Sequence, residues 1–300
     1  GRPPRDPPAL ARDSDLRRFV ERQGAPGKTL LIGDEVHNLG GPSFVNDPPQ
    51  AFQFRIGLSA TPIRQYDPDG TDRLFEYFRA GGADVIDIGW TPGVASPELA
   101  AVVRELTEAG MRVSIDTFDA REIHTAVEAG AELVLSVNGS NMEAARDVAG
   151  RATVEALPDF GAPMETLDAT LEKLAAWGVS YLIDPILEPI GFGFTASIER
   201  YAAARRRYPD AEMLMGVGNV TELTAADSTG VNALLIAICQ ELGIRAVLTT
   251  EVIPWARGAV KEIDVARRLM HYAVTHRVVP KGVDDRLVTI KDPAVLAYTE

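Results

Sequence analysis

Seven short apolar runs recur along this chain, and nearly every one ends on a polar residue able to face a ligand. They are Asp84–Gly89, Val113–Thr117, Leu133–Asn138, Ala152–Leu157, Tyr181–Asp184, Met213–Asn219 and Ala246–Glu251. Helical periodicity fills most of the gaps, over residues 97–109, 119–129, 164–177, 197–207 and 232–242. Four of these stretches stop at a glycine (Gly110, Gly130, Gly178 and Gly243), and one stops at Pro209. Regular alternation of strand and helix predicts a parallel sheet covered by helices. Seven or eight such units in about 220 residues predict an α/β fold of the closed (β/α)8 TIM barrel type, with reactive groups at the C-terminal ends of the strands. Asp116, Asn138, Asp184, Asn219 and Glu251 all fall there. The pattern points to an enzyme.

Three hundred residues with 46% hydrophobic side chains suffice for one such barrel with a real core. A net charge of −13 argues against a nucleic-acid partner, since an acidic surface repels phosphate backbones. The one basic cluster, Arg205–Arg207, reads as a solvated helix end. Cys239, the only cysteine, sits inside the apolar run 231–239 and reads as a buried small hydrophobe, with no disulfide possible within the chain. No apolar stretch has the length of a membrane span, and the N-terminus is rich in Pro and Arg rather than signal-like, so a cytoplasmic location is expected. His124 and His271 lie on predicted helices, and no His, Cys and carboxylate spacing suggests a metal site.

The N-terminal quarter departs from the repeat. Residues 1–10 read as a disordered leader, 11–23 as a short charged helix, and Thr29–Gly33 as a strand ending on Asp34-Glu35-Val36-His37. With Ser59-Ala60-Thr61 after a second strand, this stretch (about 11–78) resembles motifs II and III of DEAD/DEAH-type helicases. The phosphate loop of a working ATPase is missing. Gly27-Lys28-Thr29 imitates only its end, residue 22 is Arg, and the segment leads into a strand rather than opening a helix. The expected organisation is therefore a helicase-like segment over 11–53 and a barrel over 54–300. Residues 54–80 would act as its first β/α unit, because an open parallel edge is costly.

From about residue 79 onward the chain resembles the pterin-binding barrel family, which includes dihydropteroate synthases and methyltransferases that use a methyl-pterin. The motifs are Gly82–Gly89, Val113–Thr117, Ser136–Asn138, Leu182–Pro185 with Gly191–Phe194, and Met215–Asn219. The resemblance implies pterin binding by Asp116, Asn138, Asp184 and Asn219. Physical chemistry agrees with it. A pterin presents a guanidine-like edge of N–H donors, which a strand-end carboxylate such as Asp184 can accept in plane, as it would from arginine. An amide such as Asn138 suits a mixed edge. Read locally, the same residues have plainer roles: Asp116 as a cap of the following helix, Asp184 before Pro185 and Asn138 before Gly139 as turn formers. Asp87 reads as structural, and Trp90 as pocket lining or filling.

Synthases of this family displace pyrophosphate from a hydroxymethyl-pterin with an arylamine, and carry a lysine and an Arg-x-His to meet the anion. Here Asn219 and Thr249-Thr250-Glu251 occupy those places. Arg257 and Lys261 are the candidate replacements, and with Asn219 they are the candidate catalytic residues. Asn219 instead matches the methyltransferase branch, whereas Thr249–Glu251 and Arg257–Glu262 look more like the synthase branch. The resemblance thus implies a transferase of folate or methanopterin biosynthesis. The alternatives are a methyltransferase working with a corrinoid protein, and a pterin-binding protein without turnover. A reduced pterin is the expected small-molecule substrate, with no tightly bound cofactor, Mg2+ arriving only with a pyrophosphate, and a homodimer as the implied assembly.

Overall fold

A computed structural model describes residues 29–34, 52–58, 82–89, 98–251 and 253–289, the first two stretches as backbone. The chain divides into two compact units, Gly1–Leu74 and Phe75–Glu300. In the first, β1 (Thr29–Asp34) and β2 (Phe52–Leu58) pair in parallel as a two-stranded sheet. Of the helicase-like residues, Asp34 closes β1, while Glu35–His37 and Ser59–Thr61 lie outside the described residues, as does most of the segment 54–80.

The second unit carries the repeat. Strands β3 (Val85–Gly89), β4 (Arg112–Asp116), β5 (Leu133–Val137), β6 (Thr153–Ala156) and β7 (Ser180–Ile183) form a parallel sheet in chain order. Strands β8 (Leu214–Gly216) and β9 (Ala246–Leu248) pair in parallel, and a parallel bridge from Ile183 to Met213 joins them to β7. Helices α1 (Leu99–Glu108), α2 (Ala120–Ala129), α3 (Met142–Asp147) and α4 (Glu165–Ala176) fall one to each crossover between β3 and β7. Helices α5 (Phe194–Arg207), α6 (Gly218–Thr221), α7 (Ser228–Leu242) and α8 (Ala259–His276) complete the order. Within this unit each strand neighbours its successor, as in a (β/α)8 barrel.

Sequence chemistry explains the elements. Helix α1 buries Leu99, Val102, Val103 and Leu106, the i, i+3, i+4, i+7 stripe of an amphipathic helix. Fully burying a side chain such as Leu106 contributes roughly 2 kcal/mol. Helix α2 is capped at both ends. The Asp119 side chain accepts the Arg121 amide at 2.7 Å, and Gly130 closes the helix at φ 117°. A side chain at position 130 would meet Thr107 at 3.1 Å as well as the backbone strain, so the glycine is required twice over. Strands β4 to β6 are largely buried on both faces, as parallel strands under helices must be.

Some boundaries differ from expectation. Helix α5 begins at Phe194 rather than Ser197, and α7 at Ser228 rather than Asn232. The first turn of α7 is held by polar contacts that periodicity does not register: Ser228, Thr229 and Asn232 all donate to the Glu262 carboxylate of α8, at 2.6–2.8 Å. The Met213 run ends as a strand at Gly216, so Asn219 stands on α6, and Glu251 lies three residues beyond β9. Arg205 is not a free solvated charge: its guanidinium caps the carbonyls of Leu242 (2.7 Å), Ala211 (2.8 Å) and Pro209 (2.9 Å). Cys239 is buried, and burial pushes its thiol up to about 12. Among the described residues no helix is long and apolar enough to cross a membrane.

Candidate functional site

The C-terminal ends of β4 to β7 carry a connected set of polar side chains. Asp116 ends β4, and its Oδ1 accepts the Ser136 hydroxyl at 2.6 Å. Ser136 lies on β5 at φ 64°, a left-handed conformation that costs a non-glycine residue of order 1–3 kcal/mol. The β5–β6 register breaks there, between Val134 and Val137. The kink frees the Ser136 amide from the ladder and turns it onto Glu155 Oε2 at 3.0 Å. One residue therefore ties the carboxylates of β4 and β6 together.

Glu155 stands on β6 and is buried. Its strand partner is Leu182, two residues before Asp184, which puts both carboxyl groups on the same side of the sheet. They lie within hydrogen-bonding reach of each other. Burial, followed by the Asp184 charge, pushes the Glu155 carboxyl well above the usual carboxylate range. Burial raises Asp184 too, against hydrogen bonds from Tyr201 and the Ile186 amide. Both donors reach the same oxygen, Oδ1, the amide at 2.6 Å. The Tyr201 hydroxyl comes from the middle of α5 and is itself fully buried. The preceding residue, Arg200, donates to the carbonyls of Pro185 and Ile186 at 2.6 Å each, which fixes the loop after β7.

Asn219 and Asp184 meet over Gly216. A Cβ built there would lie 3.7 Å from both Asp184 Oδ2 and Asn219 Nδ2, so glycine leaves the two side chains room to face the same space. Asn219 is otherwise exposed and donates to the Leu187 carbonyl at 3.0 Å. Asn138 is buried just beyond the end of β5. Its side-chain oxygen accepts from the Ser140 amide (2.9 Å) and hydroxyl (2.6 Å), so its NH2 is the part left to address a ligand. Asn141 joins it to the kink, accepting the Asn138 amide at 2.9 Å and donating to the Ser136 carbonyl at 3.0 Å.

Arg257 and Lys261 sit elsewhere on the same rim, around Gly258, the N-cap of α8. Glu251 occupies the space beneath them. It is buried, its Oε1 accepts the Val260 amide at 3.0 Å, and its Oε2 has no partner among the described residues. Burial raises its carboxyl group, opposed by the amides of Val260 and Gly258. Lys261 is exposed on the first turn of α8.

Sequence reading missed Glu155, Ser136 and Tyr201. A glutamate amid the apolar strand 152–157 was a usable signal, since a parallel strand buried on both faces seldom tolerates one. The roles of Ser136 and Tyr201 need the third dimension. Asp87, read as structural, is half-buried on β3, and its Oδ1 accepts the Ser114 hydroxyl at 2.6 Å. Burial pushes it up to about 6. Trp90 lies outside the described residues. His124 pairs with Asp147 at 3.3 Å through the α2–α3 contact. Two surface concavities, of about 510 and 420 Å3, are lined by residues of α5 and by residues of α7 with Val220 and Thr224, and include none of the strand-end residues.

Residues 72–163 match the family model described as pterin binding enzyme. An uncharacterized protein of Methanocaldococcus jannaschii is 31% identical over 237 residues, which are 72% of this chain and 44% of that protein. The chain thus spans less than half the length of the curated relative it matches. Among solved structures, the dihydropteroate synthase of Burkholderia cenocepacia, complexed with 7,8-dihydropteroate, superposes with a TM-score of 0.53 at 21% identity, covering 70% of this chain and 88% of that one. The dihydropteroate synthase of Yersinia pestis in a sulfonamide drug complex superposes with a TM-score of 0.54 at 17% identity, covering 83% and 94%. At these identities the superpositions establish the fold, an α/β barrel.

Proposed function

We propose, from the premise that this barrel resembles the pterin-binding enzymes in sequence and the dihydropteroate synthases in fold, that its strand ends bind a reduced pterin and transfer a group at the pterin's one-carbon substituent. The observation that carries this reading is the hydrogen-bonded line from Asp116 through Ser136 to Glu155, with Asp184 on the same side of the sheet as Glu155 and Asn219 facing Asp184 across Gly216. Such a wall offers acceptors in a buried, low-dielectric setting, and it matches an edge made of N–H donors. Asn138 adds a donor for a ring carbonyl or nitrogen.

In the synthase-like reaction an amine nitrogen attacks the methylene carbon of the pterin. The carbon–oxygen bond to pyrophosphate breaks, and the amine loses a proton. Arg257 and Lys261, around the N-terminus of α8, are the groups we assign to the departing anion. Folate or methanopterin biosynthesis is the setting this reaction fits.

Asn219 favours a second reading, methyl transfer from an N5-methyl pterin to a corrinoid protein. Its amide is anchored by the Leu187 carbonyl and stands beside Asp184, so it can hydrogen-bond a ring nitrogen as the methyl group leaves. Calorimetric titration of the full chain with hydroxymethyl-dihydropterin pyrophosphate and with N5-methyl-tetrahydrofolate separates the readings. Preference for the first ligand supports the synthase-like reaction, and preference for the second supports methyl transfer. Binding that persists unchanged in Asp184→Ala, or no binding of either ligand, overturns the pterin site.

A further inference from the structure

Asp184 is not the symmetric acceptor that a guanidine-like edge would need. Its Oδ1 already takes the Tyr201 hydroxyl and the Ile186 amide, and a carboxylate oxygen has about two lone-pair directions. Only Oδ2, which faces Gly216 and Asn219, is left to receive a ligand. Two N–H donors in one plane need a second acceptor. Glu155 is the carboxyl group on the same side of the sheet, buried to 3% exposure and within hydrogen-bonding reach of Asp184.

Resting on that reading, we propose that Asp184 Oδ2 and the Glu155 carboxyl group jointly receive the donor edge of the ligand, and that in the free protein the two hold a single proton between them, which departs when the ligand binds. Two carboxylates at hydrogen-bonding distance in a buried site do not both ionise at low cost, so a proton fills the contact. A ligand arriving with two N–H donors replaces that one proton with two hydrogen bonds, and the ionised pair becomes the better partner. The proton passes to solvent, and no covalent bond changes.

The groups facing the pair act in both directions. Asp116 on β4 adds negative charge that favours keeping the proton. The Ser136 amide on β5 favours ionised Glu155, while Tyr201 and Arg200 on α5 favour ionised Asp184. Cys239 on α7 lies close enough to feel Asp184, and its own thiol stays protonated. Desolvation of Glu155 outweighs the amide it accepts, in line with a proton retained well above the usual carboxylate range.

The test is a calorimetric titration of the full chain with hydroxymethyl-dihydropterin in two buffers of different ionisation enthalpy, which counts protons. Wild type should release about one proton near neutral pH and bind more tightly as pH rises. Glu155→Gln carries a permanent N–H in place of the proton. It should bind about tenfold more weakly, release none, and lose the pH dependence. A wild type that binds without releasing a proton, or a Glu155→Gln variant that releases the same number, overturns the shared proton and leaves pterin binding standing. Should the pterin fail to bind at all, the pterin reading falls, and infrared titration of the free protein decides the proton. A carboxylic-acid band that persists above neutral pH, and vanishes in both Glu155→Gln and Asp184→Asn, supports the shared proton, and no such band in wild type overturns it.

Discussion

The two sides of the barrel mouth are built differently. From β4 to β7 the strand-end side chains are buried and bonded to one another: Asp116 to Ser136, Ser136 to Glu155, Glu155 beside Asp184, Asp184 to Tyr201. From β8 to α8 the polar groups belong to helices and a helix cap: Asn219 is exposed on α6, Lys261 is exposed on the first turn of α8, and Glu251 takes the first amides of α8. The first side is fixed before any ligand arrives and presents acceptors. The second presents cations on positions that water also reaches. A rigid aromatic ring is best read by the first kind of surface, and a variable anion or second substrate by the second.

The largest effect should come from breaking the rigid side. Asp184→Ala removes the acceptor of two buried donors and the carboxylate facing the ligand. Pterin affinity should fall by about a hundredfold or more, and stability by about 1–3 kcal/mol, from the orphaned Tyr201 hydroxyl and Ile186 amide. Titration calorimetry and denaturant melts read the two effects separately. An affinity loss as large from Lys261→Ala would erase the contrast between the two sides.

Asp87 gives the next effect, visible in pH. Its carboxyl lies at about 6 in the folded chain against 3.8 for the unfolded reference, so the folded protein holds the extra proton. Its contribution is fully present below pH 3.8 and is lost as pH rises towards about 6. The span of about two units amounts to at most about 3 kcal/mol, reduced by the partial exposure of the residue. Thermal melts of Asp87→Asn should lose that slope, and a slope unchanged in the variant would place its origin elsewhere.

Ser136 sharpens the comparison at a smaller scale. Ser136→Gly relieves a strained backbone but gives up the hydroxyl bond to Asp116, two changes of about 1 kcal/mol and opposite sign. Stability should move by less than about 1 kcal/mol while pterin affinity still falls, because Asp116 is no longer held. The smallest effect belongs to the exposed cation. Lys261→Ala should leave binding of an uncharged pterin within about 0.5 kcal/mol of wild type and weaken only a pyrophosphorylated one.

Much of this was legible in the chain itself, because the features that show in one dimension are the periodic ones. The seven apolar runs and the glycine stops mark the strands and helices within a few residues, since alternation and helix stops are local chemistry. Asp116 and Asp184 were identifiable as strand-end carboxylates for the same reason. What escaped was non-local. The first turn of α7 is anchored on Glu262, and the short helices α3 and α6 are too brief for periodicity to register. The importance of Ser136 depends on a backbone angle and on two carboxylates that lie 20 and 19 residues away in the chain. Tyr201 looked like an ordinary helix residue until α5 packed it onto Asp184.

Arg200 and Tyr201, neighbours on α5, fasten three consecutive residues of the loop after β7: Asp184 by a side-chain oxygen, Pro185 and Ile186 by their carbonyls. That coupling has a dynamic consequence. A fluctuation that frays the middle of α5 would release all three fastenings at once, so the helix and the floor of the site should open as one unit. In hydrogen exchange the Ile186 amide would then follow the protection of α5 rather than that of the strand beside it.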